Sequence, residues 1–322
     1  MSAALADVLH SAAGRWRRID PLLPDPKPPA DAGCGAELAV PAANGRIAAV
    51  GWCRHHELRP EAAELAWGAA TQFWLTAQVV GDPAEPGIGA GLDELLVCWR
   101  AHLAAEPATA GKGPQAAVRW PSRDIGGVRA LLRHGLQPLT VIAARSAGRA
   151  VPDATPVPGG LRIRPACPGD VAAVTALSLE VIRFDQHFGS VLLHPHAGRV
   201  ERQAAEQVLS LPEPWTWLAE RDGRPVGLLV AEPPDRAGWI ASATRQDPVA
   251  YLATLSVLPD ERGSGVGTAL VAGLHRVLDA AGVAVTLLHH AQLNPLSAPF
   301  WSRMGYRPLW TSWETRPARA LR

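Results

Sequence analysis

Residues 251–260 read YLATLSVLPD, and Tyr251, Leu252, Leu255, Val257 and Leu258 give the apolar run of a buried strand. The period then changes. In TALVAGLHRVLDAAG, Ala269, Leu270, Leu274, Val277 and Leu278 recur at helical spacing, and Gly282 supplies a stop. Between the two runs lies ERGSGVGTAL, residues 261–270, so three glycines fall on a strand-to-helix turn. Such a turn leaves backbone N–H groups unpaired and aims the positive end of a helix dipole at them.

The rest of the second half alternates in the same way. LRIRPA reads as a strand, and Pro168-Gly169-Asp170 opens a helix over 170–184. A helical segment at 197–210 follows, then two strands joined at Asp222-Gly223 as a hairpin. After the glycine turn and its helix come AVTLLHH as a strand, NPLSAPFWSRMG as a helix and YRPLWTSWETR as a closing strand. The first half carries a fainter copy: a hairpin turning at Asn44-Gly45, a glycine echo in PGIGAGLDELLVCW, and RDIGGVRALLRHGLQPLTVIAAR in parallel with the closing helix and strand. Three matches in one order argue for duplication. A Pro- and Gly-rich stretch separates the copies, giving a first domain at 1–148, a linker at 149–160 and a second domain at 161–322.

Composition narrows the classes. The chain has 322 residues, is 48% hydrophobic and 19% charged, and carries a formal charge of +1, which is a globular composition. That balance gives no reason to expect nucleic acid or a membrane as partner. Cys34, Cys53, Cys98 and Cys167 are scattered with no CxxC pair, so neither a metal site nor a disulfide framework is expected. The N-terminal basic cluster follows its apolar stretch, the reverse of a signal peptide, and a cytoplasmic protein is expected.

The glycine turn admits three phosphate-binding readings. A Walker A loop needs Gly-Lys-Ser/Thr, whereas Thr268 follows Gly267 directly. A dinucleotide fingerprint needs an acidic residue about 20 positions on, where VTLLHH offers none. The third reading fits. Arg262-Gly263-Ser264-Gly265-Val266-Gly267 matches R/Q-x-x-G-x-G/A and resembles the acyl-CoA pyrophosphate loop of the GNAT N-acetyltransferase superfamily. Asn294, Ser297, Trp301 and Gly305 stand at the offsets of that family's second motif, and the resemblance covers roughly 160–317. It implies an α/β (α+β) fold of two GNAT-like domains, each a mixed, mostly antiparallel sheet flanked by helices. It further implies acetyl-CoA or another acyl-CoA held by Leu255, Ser256, Val257, Arg262, Gly263, Ser264, Gly265, Val266, Gly267 and Thr268, with Asn294 and Ser297 lining the cleft.

Amine acylation needs a neutral nucleophile and a proton for the departing thiolate. The family's tyrosine acid is replaced by Trp301, and its strand-four glutamate is absent between Tyr251 and Leu258. The remaining candidates are His289 and His290, of which alternation directs one inward, and Asp185 and His187 after the first helix, where the family builds its acceptor site. Each is equally a solvated strand-end or loop residue. In the first half, Pro86 and Glu85 spoil the glycine echo, and Asp124 and Leu131 stand where Asn294 and Trp301 do. That half is expected to shape the acceptor pocket or to dimerise. The resemblance thus implies transfer of an acyl group from acyl-CoA to an amine of a small molecule in a ternary complex. A non-catalytic acyl-CoA-binding protein and a protein N-acetyltransferase are the alternatives.

Overall fold

Strand alternation and helical periodicity are realised nearly where the sequence places them. The computed structural model describes residues 3–30, 35–59, 62–81, 87–106, 113–149 and 159–322. In chain order the first half gives α1 (Ala3–Ile19), β1 (Glu37–Pro41), β2 (Ile47–Glu57), β3 (Thr71–Val79), α2 (Gly87–Ala105), β4 (Gln115–Pro121), α3 (Val128–Arg133) and β5 (Gln137–Ser146). The second gives β6 (Leu161–Pro165), α4 (Val171–Asp185), α5 (Ala197–Leu209), β7 (Thr216–Arg221), β8 (Arg224–Glu232) and α6 (Gly238–Ala241). It ends with β9 (Val249–Val257), α7 (Val266–Ala280), β10 (Val285–Ala291), α8 (Ser297–Arg303) and β11 (Arg307–Thr315). Both expected hairpins form, with Gly45 and the pair Asp222 and Gly223 at positive φ in their turns. Val277 departs from expectation: it lies on the solvent side of α7 at 43% exposure, because Leu270, Leu274 and Leu278 already fill the buried stripe. Pro86, Glu85, Cys34 and most of the 149–160 linker lie outside the described residues.

The mixed, mostly antiparallel α/β architecture is present, but its strands form one sheet. The order is β1-β2-β3-β4-β11-β5-β10-β9-β8-β7-β6. Among its neighbours only β3–β4 and β9–β10 run parallel. The closing strand of each half has crossed over: β11 pairs with β4, β5 pairs with β10, and β5 and β11 pair antiparallel with each other. The division at 149–160 therefore does not divide the sheet. One face is covered by α2 and α7, whose cores centre on Leu92, Leu95 and Trp99 and on Leu270, Leu274 and Leu278. The other carries α1, α4, α5 and α6, with Trp16, Leu23, Ile240 and Trp310 buried together near the middle. Among the described residues no helix is long and apolar enough to cross a membrane.

The duplication is visible in the backbone. Helix α3 ends on Gly135 at φ +80, with Leu136 N–H bonded to Leu131 O; helix α8 ends on Gly305 at φ +86, with Tyr306 N–H bonded to Trp301 O. Each half also opens a wedge. The parallel pairing of β9 with β10 stops after Leu252↔Leu288, and that of β3 with β4 after Leu75↔Val118, although the strands continue.

The first wedge is plugged. Arg15 of α1 donates Nε to Asp124 Oδ2 at 3.1 Å and Nη1 to Val79 O, while Trp120 Nε1 donates to Asp124 O at 2.9 Å. Arg15 and Asp124 are both fully buried. Burial outweighs the pairing at both ends, raising the Asp124 carboxyl and lowering the Arg15 guanidinium from their ordinary values. Such a pair adds little net stability, yet breaking it is costly because one charge is left buried alone. Arg15→Ala is expected to lower the unfolding free energy by about 3–5 kcal/mol in a denaturant titration. The double variant Arg15→Met with Asp124→Leu should recover most of that loss; a double variant as unstable as the single one would contradict this account.

Candidate active site

The second wedge is bordered by the glycine turn. Pro259–Glu261 makes a single 3-10 turn after β9, Gly263 sits at φ +82, and Gly265 at φ +92 caps α7. Only glycine adopts this conformation cheaply. Among the described residues, the amides of Gly263, Gly265, Val266, Gly267 and Thr268 meet no protein carbonyl. They converge at the positive end of a 15-residue helix, an arrangement that holds a diphosphate. Ser264 turns back, its Oγ donating to Glu261 O at 2.7 Å, and Glu261 is itself paired with Arg221 at 2.8 Å. The Arg262 side chain also folds inward. It donates to Val257 O at 3.2 Å, pairs with Glu180 of α4 at 3.2 Å, and lies 4.3 Å from the Phe184 ring centre.

Strand β9 changes phase as it enters the wedge. Val230↔Thr254 is followed by Ala231↔Leu252, so Ala253 is an extra residue in β9. After this bulge Leu255 and Val257 pack toward α7, and Ser256, opposite Leu228, points to the other face. Ser256 is buried, and among the described residues its Oγ has no hydrogen-bond partner. A buried hydroxyl without a partner is costly unless a ligand completes it. Gly267 faces α8, where an added Cβ would lie 3.5 Å from the Phe300 ring. An acyl-CoA fits these donors: the turn amides suit its pyrophosphate, and β9 beyond the bulge suits its pantetheine arm.

Asn294 stands after β10 at the position matching Asp124. Its Nδ2 donates to Asp185 Oδ1 at 2.8 Å, and its Oδ1 accepts from Leu296 N–H at 3.0 Å. Asp185 ends α4, and both side chains are buried. Desolvation raises the Asp185 carboxyl; the Asn294 hydrogen bond and the Arg262 charge oppose that shift. Ser297 begins α8, half-buried. His187 is exposed in the 3-10 turn Gln186–Phe188, beside the Phe184–Phe188 ring pair at 5.3 Å.

The neighbouring histidines part company. His290 is buried, directly opposite Val141 in register and so on the α7 face, with Nδ1 3.1 Å from Ala291 O. His289 faces the other side, where its Nδ1 lies 2.9 Å from the Tyr251 hydroxyl. Trp239 of α6 stacks on the imidazole at 6.2 Å and 8°, meets the Tyr251 ring edge-on at 4.9 Å, and donates Nε1 to Glu232 Oε2 at 2.7 Å. Desolvation lowers His289 to about 3, and desolvation with the Glu232 charge raises Tyr251. Both are neutral at pH 7. With the phenol donating to Nδ1, Nε2 carries the ring proton and offers a hydrogen-bond donor. Trp301 is buried between Phe300 and Tyr306, and Tyr306 bonds His275 Nε2 at 3.0 Å beneath α7.

Sequence reasoning overlooked Tyr251 and Trp239 as site residues. Tyr251 reads in the sequence only as a buried strand residue, and the pairing of β9 with β10 sets it beside His289. Trp239 carries no periodic signal, because its helix has four residues. Among the described residues no group of three or more His, Cys, Asp or Glu could hold a metal ion.

A donor-lined wedge between parallel strands, with a glycine turn at its mouth, defines the class, and the family comparison agrees: residues 184–306 match the acetyltransferase (GNAT) family. This segment of the chain is therefore similar to that family of acetyltransferases. A curated relative, the mycothiol acetyltransferase of Frankia alni, is 29% identical over 240 residues, covering 71% of this chain and 66% of its own length. The crystal structure of a GCN5-related N-acetyltransferase from Sphaerobacter thermophilus aligns with a TM-score of 0.56 at 17% identity, over 97% of this chain and 91% of that one. The GCN5-related glucosamine N-acetyltransferase region of a fungal multi-domain β-N-acetylglucosaminidase aligns with a TM-score of 0.50 at 17% identity, over 96% of this chain and 36% of that one. At these identities the structures speak for the fold.

The buried imidazoles set a pH dependence. Desolvation lowers both His275 and His289 to about 3 from an ordinary 6.5. Between those values the unfolded chain binds more protons than the native one, so their contribution is complete above about 6.5 and is lost as pH falls toward 3. The thermal midpoint should therefore drop across that window. His275→Gln, read by calorimetry from pH 7 to pH 4, should flatten the drop; an unchanged slope would remove His275 from the cause.

Proposed function

We propose that the protein transfers the acetyl group of acetyl-CoA to an amine of a small molecule, in one ternary complex assembled on the second wedge. The observation that carries this reading is the set of unpaired donors: five turn amides and the Ser256 hydroxyl border one gap between β9 and β10. The resemblance of 71% of the chain to a mycothiol acetyltransferase supports a small acceptor. So does the placement of the first half, whose β5 lies beside β10 and whose Ala66 packs with Ile182 and Val191 of the second.

In this reading the amides of Gly263, Gly265, Val266, Gly267 and Thr268 hold the pyrophosphate, and Leu255, Ser256 and Val257 line the pantetheine arm. The bound acetyl-CoA supplies a thioester, whose carbonyl carbon is the acceptor of the amine's electron pair. The C–N bond forms, the C–S bond breaks, and the proton shed by the amine ends on the thiolate. The Tyr251–His289 pair stands at the narrow end of the wedge, where pairing stops after Leu252↔Leu288. Its Nε2–H serves as a neutral donor that orients the reacting groups. Asp185, raised by burial and held by Asn294, is the carboxyl best placed to take up a proton. His290 faces the α7 core, and His187 is left to contact the acceptor from the rim.

Calorimetric titration with acetyl-CoA should give one site per chain, because Arg15 fills the other wedge. Gly265→Glu, which introduces a negative side chain at a positive φ, should abolish that binding. Two sites per chain would refute the plugged-wedge account, and no binding to wild type would refute the reading itself. Asp185→Asn should retain binding while lowering kcat by about 10²–10⁴-fold in a thiol-release assay; an unchanged kcat would exclude Asp185 from the proton path.

A further inference from the structure

In β4, Ala116, Val118 and Trp120 face α2, so alternation sends Ala117 and Arg119 to the opposite face. The register then runs Arg119↔Ser312, Ser312↔Thr140 and Thr140↔Ala291 across β11, β5 and β10. Two residues back along β10 on this same face stands His289. Arg119 of the first half and His289 of the second thus rise from one floor, their strands about 14 Å apart. The Arg119 charge is felt at His289, where it adds to the lowering by desolvation. On one side the floor ends at the buried cluster of Trp16, Ile240 and Trp310. On the other the two halves touch: Leu192 N–H bonds to Ala66 O at 3.0 Å, and Gly189 lies against Leu139 of β5.

Arg119 differs from the arginines that hold the fold together. Arg15, Arg145, Arg164, Arg221, Arg262 and Arg307 each pair with a carboxylate. Among the described residues no carboxylate pairs with Arg119, whose guanidinium carbon lies 5.8 Å from the Trp74 ring centre. Solvent reaches the side chain, yet the surrounding protein desolvates it and Arg54 adds a second positive charge, lowering it to about 10. It stays charged at neutral pH. A crowded cation without a counter-ion is a site that an anion completes. At the far end stands Glu232, which accepts from Trp239 Nε1 and whose charge is felt at Tyr251.

We propose that this floor binds the acceptor and that Arg119 receives an anionic group on it, so that the molecule acetylated is an amine that also bears a carboxylate or phosphate. This rests on the acetyl-transfer reading above and assigns its substrate class. The test measures thiol release from acetyl-CoA by the full-length protein with matched amines: 3-aminopropanoate against 3-aminopropanol, 6-aminohexanoate against hexylamine, and 2-aminoethyl phosphate against ethanolamine. The expected result is kcat/KM at least about 10-fold higher for the anionic member of a pair. The carboxylate and phosphate pairs distinguish the two sources of charge. Arg119→Gln should collapse the preference toward one, and Arg119→Lys should restore part of it, through KM more than kcat. Neutral members that react as well as anionic ones in the wild type, or a preference that survives Arg119→Gln, would overturn the proposal while leaving acetyl transfer intact. No thiol release with any amine would instead overturn the transferase reading, and this inference with it. Should Arg119→Gln fail to fold by circular dichroism, the wild-type ratio decides alone.

Discussion

The antiparallel pair of β5 and β11 is the constraint on which the molecule depends. Each strand ends one half of the chain, and each is hydrogen-bonded on its far side to a strand of the other half. A half taken alone would lose the other half's closing strand and expose an edge at β4 or β10. The exchange brings the face of β4 that bears Arg119 beside the face of β10 that bears His289. It also sets β5 against the wedge where the thioester is read to sit. Duplication alone would give two similar halves, whereas exchange gives one sheet with a shared floor.

The two wedges show how similar backbones diverge in use. Both arise where a parallel strand pair parts, and both are followed by a helix that ends on a left-handed glycine. In the first, an arginine from α1 enters and meets Asp124. In the second, the corresponding Asn294 meets Asp185 from α4, and the turn before α7 keeps its amides unpaired. Asp124 is met by a cation, while Asn294 is satisfied by a carboxyl and a backbone amide. The identity of that one side chain accords with whether the gap is filled from within.

Burial moves three titratable groups bordering the second wedge toward their neutral forms. Tyr251 is raised, His289 is lowered to about 3, and Asp185 is raised, in each case chiefly by desolvation. Trp301 packs between Phe300 and Tyr306 and so plays the part of a core residue. The tyrosine nearest the narrow end of the wedge comes instead from β9, one strand away.

The sequence by itself determined the elements, the glycine turn and the family resemblance, because these depend on local rules. Periodicity fixes strand or helix, Asp222-Gly223 fixes a hairpin, and Gly263 and Gly265 permit a left-handed turn that no other residue adopts cheaply. The pairing of Asn294 with Asp185 joins residues far apart in sequence, and only the packing of α4 over the wedge brings them together. Likewise only the tertiary structure chose between His289 and His290, because the face of β10 depends on its register with β5. The crossing of β5 and β11 left no local trace at all, since a strand's own pattern records which face is buried and not which neighbour it pairs with. For the same reason Arg119 reads in the sequence as one arginine among many, and gains its place beside the site from that crossing.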